Sequence, residues 1–516
     1  MSSNFIAGRK YKILLIILSF VVSAFFIFLY IKYSFHVNLN SDVVQGTLEV
    51  NSILHGNILL HGWTLSPDNF VLSDLPLYVF IGSFLKNQVL LSHLVPIIIY
   101  LLIIFTCILL ALRKTLHKVI SLFSVFIIIG MLPLFTLTSF LQGFVHIGSI
   151  LEGLLSLYFL IKYIDDKKRK YLLISCLFLF LALFSDPFII WIFLIPYFIF
   201  LILKIRDTLY STETRGVYVL SLVFILITFA VAELLRYSIP MIGGYTISSL
   251  VYQFATFSEI LSHVQTLILN LLYIFGANFM GQGLFSHQAW EAILHLGVLF
   301  LVLFFSYVSL KKYKSSTDGI NYILSIGIGI DILAFIFSNF AVSNTSSARY
   351  LFPVIIFGSI VVARSIGNIK HLKGYIYVIL FSVFFIFLAI FYHDSSLSQK
   401  NLLNESNIKV ADFLLNHHLN YGYGYYWNSS IITVETNSSI KVRAVVPSLN
   451  NKILVPYLWI SSRTWYGTHY ANFIVYDKNS SDFRIFAVDS IGKPAQIYHF
   501  GEDTILIWNK NITPYI

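Results

Sequence analysis

Leu90-Leu91-Ser92-His93-Leu94-Val95-Pro96-Ile97-Ile98-Ile99-Tyr100-Leu101-Leu102-Ile103-Ile104-Phe105-Thr106-Cys107-Ile108-Leu109-Leu110-Ala111-Leu112 carries no formal charge, and Arg113-Lys114 closes it. A helix of that length rises about 34 Å, enough to cross a hydrocarbon layer about 30 Å thick. Polar residues do not recur along it at helical or strand spacing, so no face is reserved for water. Similar blocks fall at about 119–138, 146–164, 171–185, 187–204, 217–235, 290–310, 319–340, 346–364 and 374–392. An eleventh, at 13–31, follows Arg9, Lys10 and Lys12; it is too long for the core of a signal peptide and reads as an anchored first helix. The expected fold is a polytopic α-helical membrane protein with about eleven transmembrane helices. With 57% hydrophobic and 11% charged residues among 516, the composition excludes disorder, coiled coil and a disulfide scaffold. Cys107 and Cys176 both sit in apolar blocks, which leaves neither a disulfide framework nor a zinc site.

The net charge of +10 acquires a meaning once it is placed against these blocks. If the N-terminus is cytoplasmic and the spans alternate, 20 of the 24 Lys and Arg residues up to position 392 fall at cytoplasmic ends. Only Lys32, Lys86, Arg236 and Arg349 fall outside. That bias is the positive-inside signal, so the basic surplus reads as topology and gives no support to a nucleic-acid partner. The expected division is a membrane domain over 1–392, with outer loops 32–89 and 236–289, and an extracytoplasmic α+β domain over 393–516. In the first loop, Leu75 to Leu85 reads as an interfacial helix; in the second, 247–262 and 264–279 read as two more. In the tail, a helix over 404–418 precedes strand-like runs at Ile431–Val434, Ile440–Val446, Asn472–Tyr476, Arg484–Val488 and Thr504–Trp508.

The cytoplasmic loops are short and basic, without a phosphate-binding glycine motif, so chemistry is expected at the outer face or within the membrane. The first outer loop holds four acids, Asp42, Glu49, Asp68 and Asp74, with lysines only at its ends. A carboxylate near a low-dielectric interface gains base strength; the plainer reading of Asp68 and Asp74 is turn formation and helix capping. Glu152, His146, Glu233, Glu291 and Asp331 lie in or beside spans, where polar groups are expensive and mark either a site or an interhelical bond, the latter favoured for Asp331 near mid-membrane. His55 and His61 lie near the acids, at a spacing that matches no metal motif. The aromatic run Gly422-Tyr423-Gly424-Tyr425-Tyr426-Trp427 suits either sugar stacking or a domain core.

Taken together, these features resemble the integral-membrane glycosyltransferases of the GT-C superfamily. The likeness rests on an acid, Asp42, about ten positions after the first helix, on two large outer loops, and on an outer C-terminal domain. It also rests on the hairpin Ser185-Asp186-Pro187 and on Arg349-Tyr350-Leu351-Phe352-Pro353 leading into a late helix. Asn40-Ser41-Asp42 departs from the paired Asp-Glu of protein mannosyltransferase and aminoarabinose transferase relatives. The resemblance implies inverting transfer of a sugar from a polyprenyl-phosphate-linked donor to an acceptor at the outer face of a prokaryotic plasma membrane. Asp42 would be the general base or the ligand of a divalent cation, and Arg349 would hold the lipid phosphate. Asp68, Asp74, Glu152 and His146 are the further substrate-binding candidates. Two other readings stay open: a transporter or flippase using Glu152 and Asp331 as coupling acids, and an inactive GT-C-like assembly subunit.

Overall fold

The computed structural model describes residues 24–208, 212–248, 253–312, 319–341, 345–371, 375–397, 402–448, 450, 452–467, 469–478 and 480–516. Arg9, Lys10, Lys12, Lys314, Lys373 and the first part of the 13–31 span lie outside the described residues. The helical part consists of α1 (Ala24–Ser34), α2 (Gln45–Leu54), α3 (Leu75–Gly82), α4 (Gln88–Leu112), α5 (Lys118–Val125), α6 (Leu134–Phe140), α7 (Ile147–Asp166) and α8 (Arg169–Ser185). It continues with α9 (Ile195–Asp207), α10 (Thr212–Ser238), α11 (Phe257–Ile274), α12 (His287–Lys311), α13 (Ile320–Phe337), α14 (Phe352–Gly367) and α15 (Tyr375–Leu397). Among the described residues, eight helices are long and apolar enough to cross a membrane: α4, α7, α10, α11, α12, α13, α14 with its 3-10 lead-in from Thr345, and α15.

Two expectations change here. The 119–138 span is not straight: α5 widens into a π-helical turn ending at Gly130 and meets α6 at an angle of 83°. Pro133 supplies the break, since it lacks an N–H donor and disfavours helix in the residue before it. The segments around Asp186-Pro187 are short, as expected, with 17 residues in α8 and 13 in α9. In place of the two helices expected at 247–262 and 264–279, the described residues of the second loop form one, α11, started by a reciprocal Thr256–Glu259 capping box.

The direction of α11 follows from its contacts. Arg364, near the C-terminus of α14, bonds Asn321 at the start of α13, and Ser121, early in α5, bonds the Ala363 carbonyl. Both α5 and α13 therefore run antiparallel to α14, and their C-terminal ends lie on the same side. The Ala255 N–H just before α11 donates to Phe337 O at the end of α13, while Ile274 O at the other end of α11 accepts from Thr136, just past the bend after α5. Although its length and composition would let it cross a membrane, α11 lies across one end of the bundle. The opposite end gathers basic residues: Arg113 and Lys114 pair with Asp165, and buried Arg364 donates to the Leu110 and Arg113 carbonyls that end α4. The centre of the bundle is α14, where Val354, Ile356, Phe357, Ile360 and Val361 are buried and Gly358 admits the Val302 side chain of α12.

Beyond α16 (Leu402–Asn416) the chain forms the C-terminal domain. Strands β1 (Trp63–Leu65) and β2 (Thr246–Ile247) belong to the two large loops; β3 (Tyr421–Gly424), β4 (Lys441–Ser448), β5 (Ile453–Pro456), β6 (Ser461–Ser462), β7 (Phe473–Asp477), β8 (Gln496–Phe500) and β9 (Asp503–Ile507) belong to the domain. A six-stranded sheet runs β5-β4-β3-β7-β9-β8, with β4, β3 and β7 parallel. Parallel neighbours need a crossover, which is why Ile431–Val434, expected as a strand, lies inside helix α17 (Tyr426–Glu435) between β3 and β4. Arg484–Val488, also expected as a strand, belongs to α18 (Ser481–Ile491), whose buried Phe483, Ala487 and Ile491 repeat every four residues. A second sheet, β2-β1-β6, joins both loops to the domain: Thr64 pairs with Thr246, and Trp63 with Ser462.

Candidate functional site

Residues 66–74 are clamped onto the end of α8. Phe70 N–H donates to Ser185 O, the Asn69 amide to Phe184 O, and Leu72 N–H to the Ser185 hydroxyl. The clamp brings Asp68 to within 3.9 Å of Nε2 of His146, whose Nδ1 lies 2.8 Å from the Asp186 carboxylate. Asp186 is buried at the hairpin apex, where its other oxygen accepts the Phe188 N–H at 3.0 Å. His146 adopts a left-handed backbone just before α7, and its ring packs between Phe188, at 5.1 Å, and Tyr350, at 5.4 Å. Asp68, His146, Asp186 and Tyr350 line one end of a cavity of about 570 Å³. The rest of its wall is mostly apolar, from Phe188, Trp191 and Ile195 on one side to Leu333 and Phe337 of α13 on the other, with Gln253, Asp331 and Ser338 as its polar members. Trp191, Leu333 and Phe337 are 47, 54 and 45% exposed, so the cavity opens through the side of the bundle. Asp331, expected as an interhelical hydrogen bonder, lines this wall.

Arg349 lies beside this polar end, its guanidinium 5.2 Å from the centre of the Tyr350 ring, and interacts electrostatically with both Asp68 and Asp42. Asp42 is outside the cavity lining, in a turn where Asn40 accepts the Val43 N–H at 3.0 Å. It is held from the C-terminal domain: the Tyr426 hydroxyl donates to its carboxylate, and Ser41 donates to the Tyr426 carbonyl. Burial raises the Asp42 carboxyl above its ordinary range, against smaller opposing pulls from the Tyr426 bond and Arg349. Burial likewise raises Asp68, partly offset by His146 and Arg349.

Asp74 and Glu152 form a second group behind His146. Asp74 stands at the cap position of α3 without capping it, accepts a bond from Ser73 at 2.9 Å, and packs on Gly148 of α7. Burial pushes its carboxyl up to about 7. One turn along α7, buried Glu152 feels the charges of Asp74 and Asp186. The structure thus joins Asp68 and His146 in the cavity lining, sets Arg349 beside it next to Tyr350, and places Asp74 and Glu152 away from it. In the sequence, Asp186 and Tyr350 stand out only within motifs, and Tyr426 only as part of an aromatic run. The Asp-Pro apex was the available signal for Asp186; Tyr426 lies 384 positions from its partner and offered none.

The residues present do not fit a divalent cation held by Asp42. Among the described residues, no three His, Cys, Asp or Glu side chains gather to hold a metal ion. His55 and His61 bond instead to the carbonyls of Asn51 and Gly243. A scan against protein-family models finds no match for the sequence, and a search of curated proteins finds no similar chain.

Proposed function

We propose that the chain is an integral-membrane glycosyltransferase of GT-C type, with the C-terminal domain outside the cell and the basic end of the bundle in the cytoplasm. The observation that carries this reading is the form of the cavity, a polar end continuous with an apolar groove that opens sideways between helices. A polyprenyl phosphate has the same two parts. Its chain fits the groove between Trp191 and Phe337, and its phosphate reaches the polar end beside Arg349. A guanidinium there binds two phosphate oxygens and stabilises the charge that grows as the sugar departs.

The acceptor approaches from the domain side, where Asp42 serves as general base. Its present partner is a neutral hydroxyl, that of Tyr426, and an acceptor hydroxyl is the same kind of donor. As the acceptor oxygen attacks the anomeric carbon, its proton passes to Asp42 and the carbon–phosphate bond breaks. Asp68 and the His146–Asp186 pair shape the donor side and orient Arg349.

The test is lipid binding and turnover together. Purified protein should melt at a higher temperature with added polyprenyl phosphate, since a ligand stabilises the state it binds. Arg349→Ala should abolish that shift and nearly all transfer; Arg349→Lys should keep a weak form of each. A wild type that shows no shift at saturating lipid, or an Ala variant that shifts equally, refutes the proposal.

A further inference from the structure

A second cavity of about 380 Å³ lies between α2 and the C-terminal domain, apart from the groove and sharing no residue with it. Its floor holds Arg443 of β4, only 7% exposed, with the guanidinium 3.9 Å from the centre of the Trp465 ring. Among the described residues, Nε of Arg443 has no hydrogen-bond partner, and the guanidinium's side-chain bond is to the neutral Tyr421 hydroxyl. Among the described residues no carboxylate pairs with it, and none lines the cavity, whereas Lys441 adds a second cation. A buried guanidinium without a counter-ion is costly, and an anion seated in the cavity removes that cost. The rim supplies amides and hydroxyls from Asn51, Ser52, Asn57 and Thr464. Trp63 meets Trp465 edge to face at 4.9 Å and donates to Ser52, which fixes the wall.

We infer that this cavity binds an anionic saccharide: a sugar ring whose carboxylate or phosphate sits on Arg443 and Lys441 while its hydroxyls bond the amides and hydroxyls of the rim. Two cations set the charge, and the Arg443 fork suits a planar carboxylate or a phosphate. The mixture of donors and acceptors around them matches a ring of hydroxyls better than a bare inorganic ion. The volume is in the range of small-ligand sites. The cavity stands on its own residues and does not depend on the transferase reading.

Binding is measured by calorimetry on the purified full-length chain in detergent, without turnover, so its result is separate from that of the donor-lipid test. The probes are glucuronic acid and glucose 1-phosphate, with glucose and inorganic phosphate as comparisons. At least one charged sugar should bind, and which one identifies the anion. Arg443→Gln should weaken it about tenfold or more, and Lys441→Gln, at an exposed position, by roughly threefold. If Arg443→Gln proves unfolded by its melting curve, Arg443→Lys, which keeps charge without the fork, and Lys441→Gln carry the test. Failure of both charged sugars to bind, equal binding of glucose, equal binding of inorganic phosphate, or unchanged affinity in the folded variants overturns the proposal.

Discussion

Replacing Tyr426 by Phe removes one hydroxyl from the bond to Asp42 and leaves the ring, which packs on Tyr457 at 5.1 Å. A hydrogen bond to an ionised group contributes about 1.5–3 kcal/mol, and one pKa unit corresponds to about 1.4 kcal/mol. The bond stabilises the charged carboxylate, so its loss raises the Asp42 pKa further, by about one to two units. A base must be deprotonated to act, and the acid limb of kcat/KM reports the pKa of the free enzyme. That limb should therefore move to higher pH by about one to two units in Tyr426→Phe, with the plateau rate little changed. The assay is release of sugar from a panel of synthetic polyprenyl-phosphate hexoses, followed from pH 4 to 9. Asp42→Asn should lose at least about a hundredfold on the wild-type plateau, with a smaller gap on the acid limb, because an amide accepts no proton. An acid limb that stays in place or moves to lower pH, or an Asp42→Asn protein with full activity, refutes Asp42 as the base.

Asp74→Asn tests the second acidic group through stability. Its carboxyl titrates near 7 when folded, against about 3.8 otherwise, so its favourable contribution is complete below about pH 4 and is lost as pH rises through 7. The Asn protein should melt at least about 2 °C above wild type at pH 8, a gap that closes towards pH 4 in thermal scans; equal melting at both pH values would contradict it. Glu49, raised by burial to about 8 despite its Gln45 bond, should make Glu49→Gln behave likewise, with the gap opening at more alkaline pH. For topology, single cysteines at Asn57 and Asn450 should react with an impermeant thiol reagent in intact cells, and one at Ser316, outside the described residues, should not. Labelling at position 316 would reverse the orientation and remove the outer site.

The helical part was legible because its signal is thermodynamic and local: a long uncharged run has few other places to go. Lengths and bends were less so. The chain from 119 to 138 reads as one block by hydropathy, yet Gly130 and Pro133 fold it back, and hydropathy does not register backbone geometry. The domain failed differently. Ile431-Ile432-Thr433-Val434 has the composition of a strand, but the parallel pairing of β3 with β4 requires a crossover there, and all four residues are buried in that helix. Strand preference measures how a side chain packs on neighbours, so tertiary demand outweighed it. In α18 the four-residue repeat was present in the sequence, masked by the short apolar run Ile485-Phe486-Ala487-Val488.

The candidate site divides along the same line. Asp68, His146 and Glu152 announced themselves because polar groups near lipid are expensive, and that expense is visible one residue at a time. What could not be seen is which of them meet. Asp68 reaches His146 because the loop 66–74 is bonded to Ser185, and Asp42 meets Tyr426 because the domain is tied down at several places, among them the β1–β6 pairing and the bonds of Gln88 to Asn437 and Ser438. These ties have a consequence for the proposed mechanism: the domain holds Asp42, the proposed base, through Tyr426 and Ser41, and both large loops through one small sheet. A change that loosened this tie, such as Arg463→Pro, which removes the backbone N–H that donates to the Gly62 carbonyl at the end of β6, would act on the site without touching it. It should raise the acid limb of kcat/KM as Tyr426→Phe does, while leaving the polyprenyl-phosphate thermal shift in place, because most of the groove lining lies on helices and Arg349 on the 3-10 lead-in to α14. Loss of both together would mean that the domain supports the donor side too, and that base and groove form one unit.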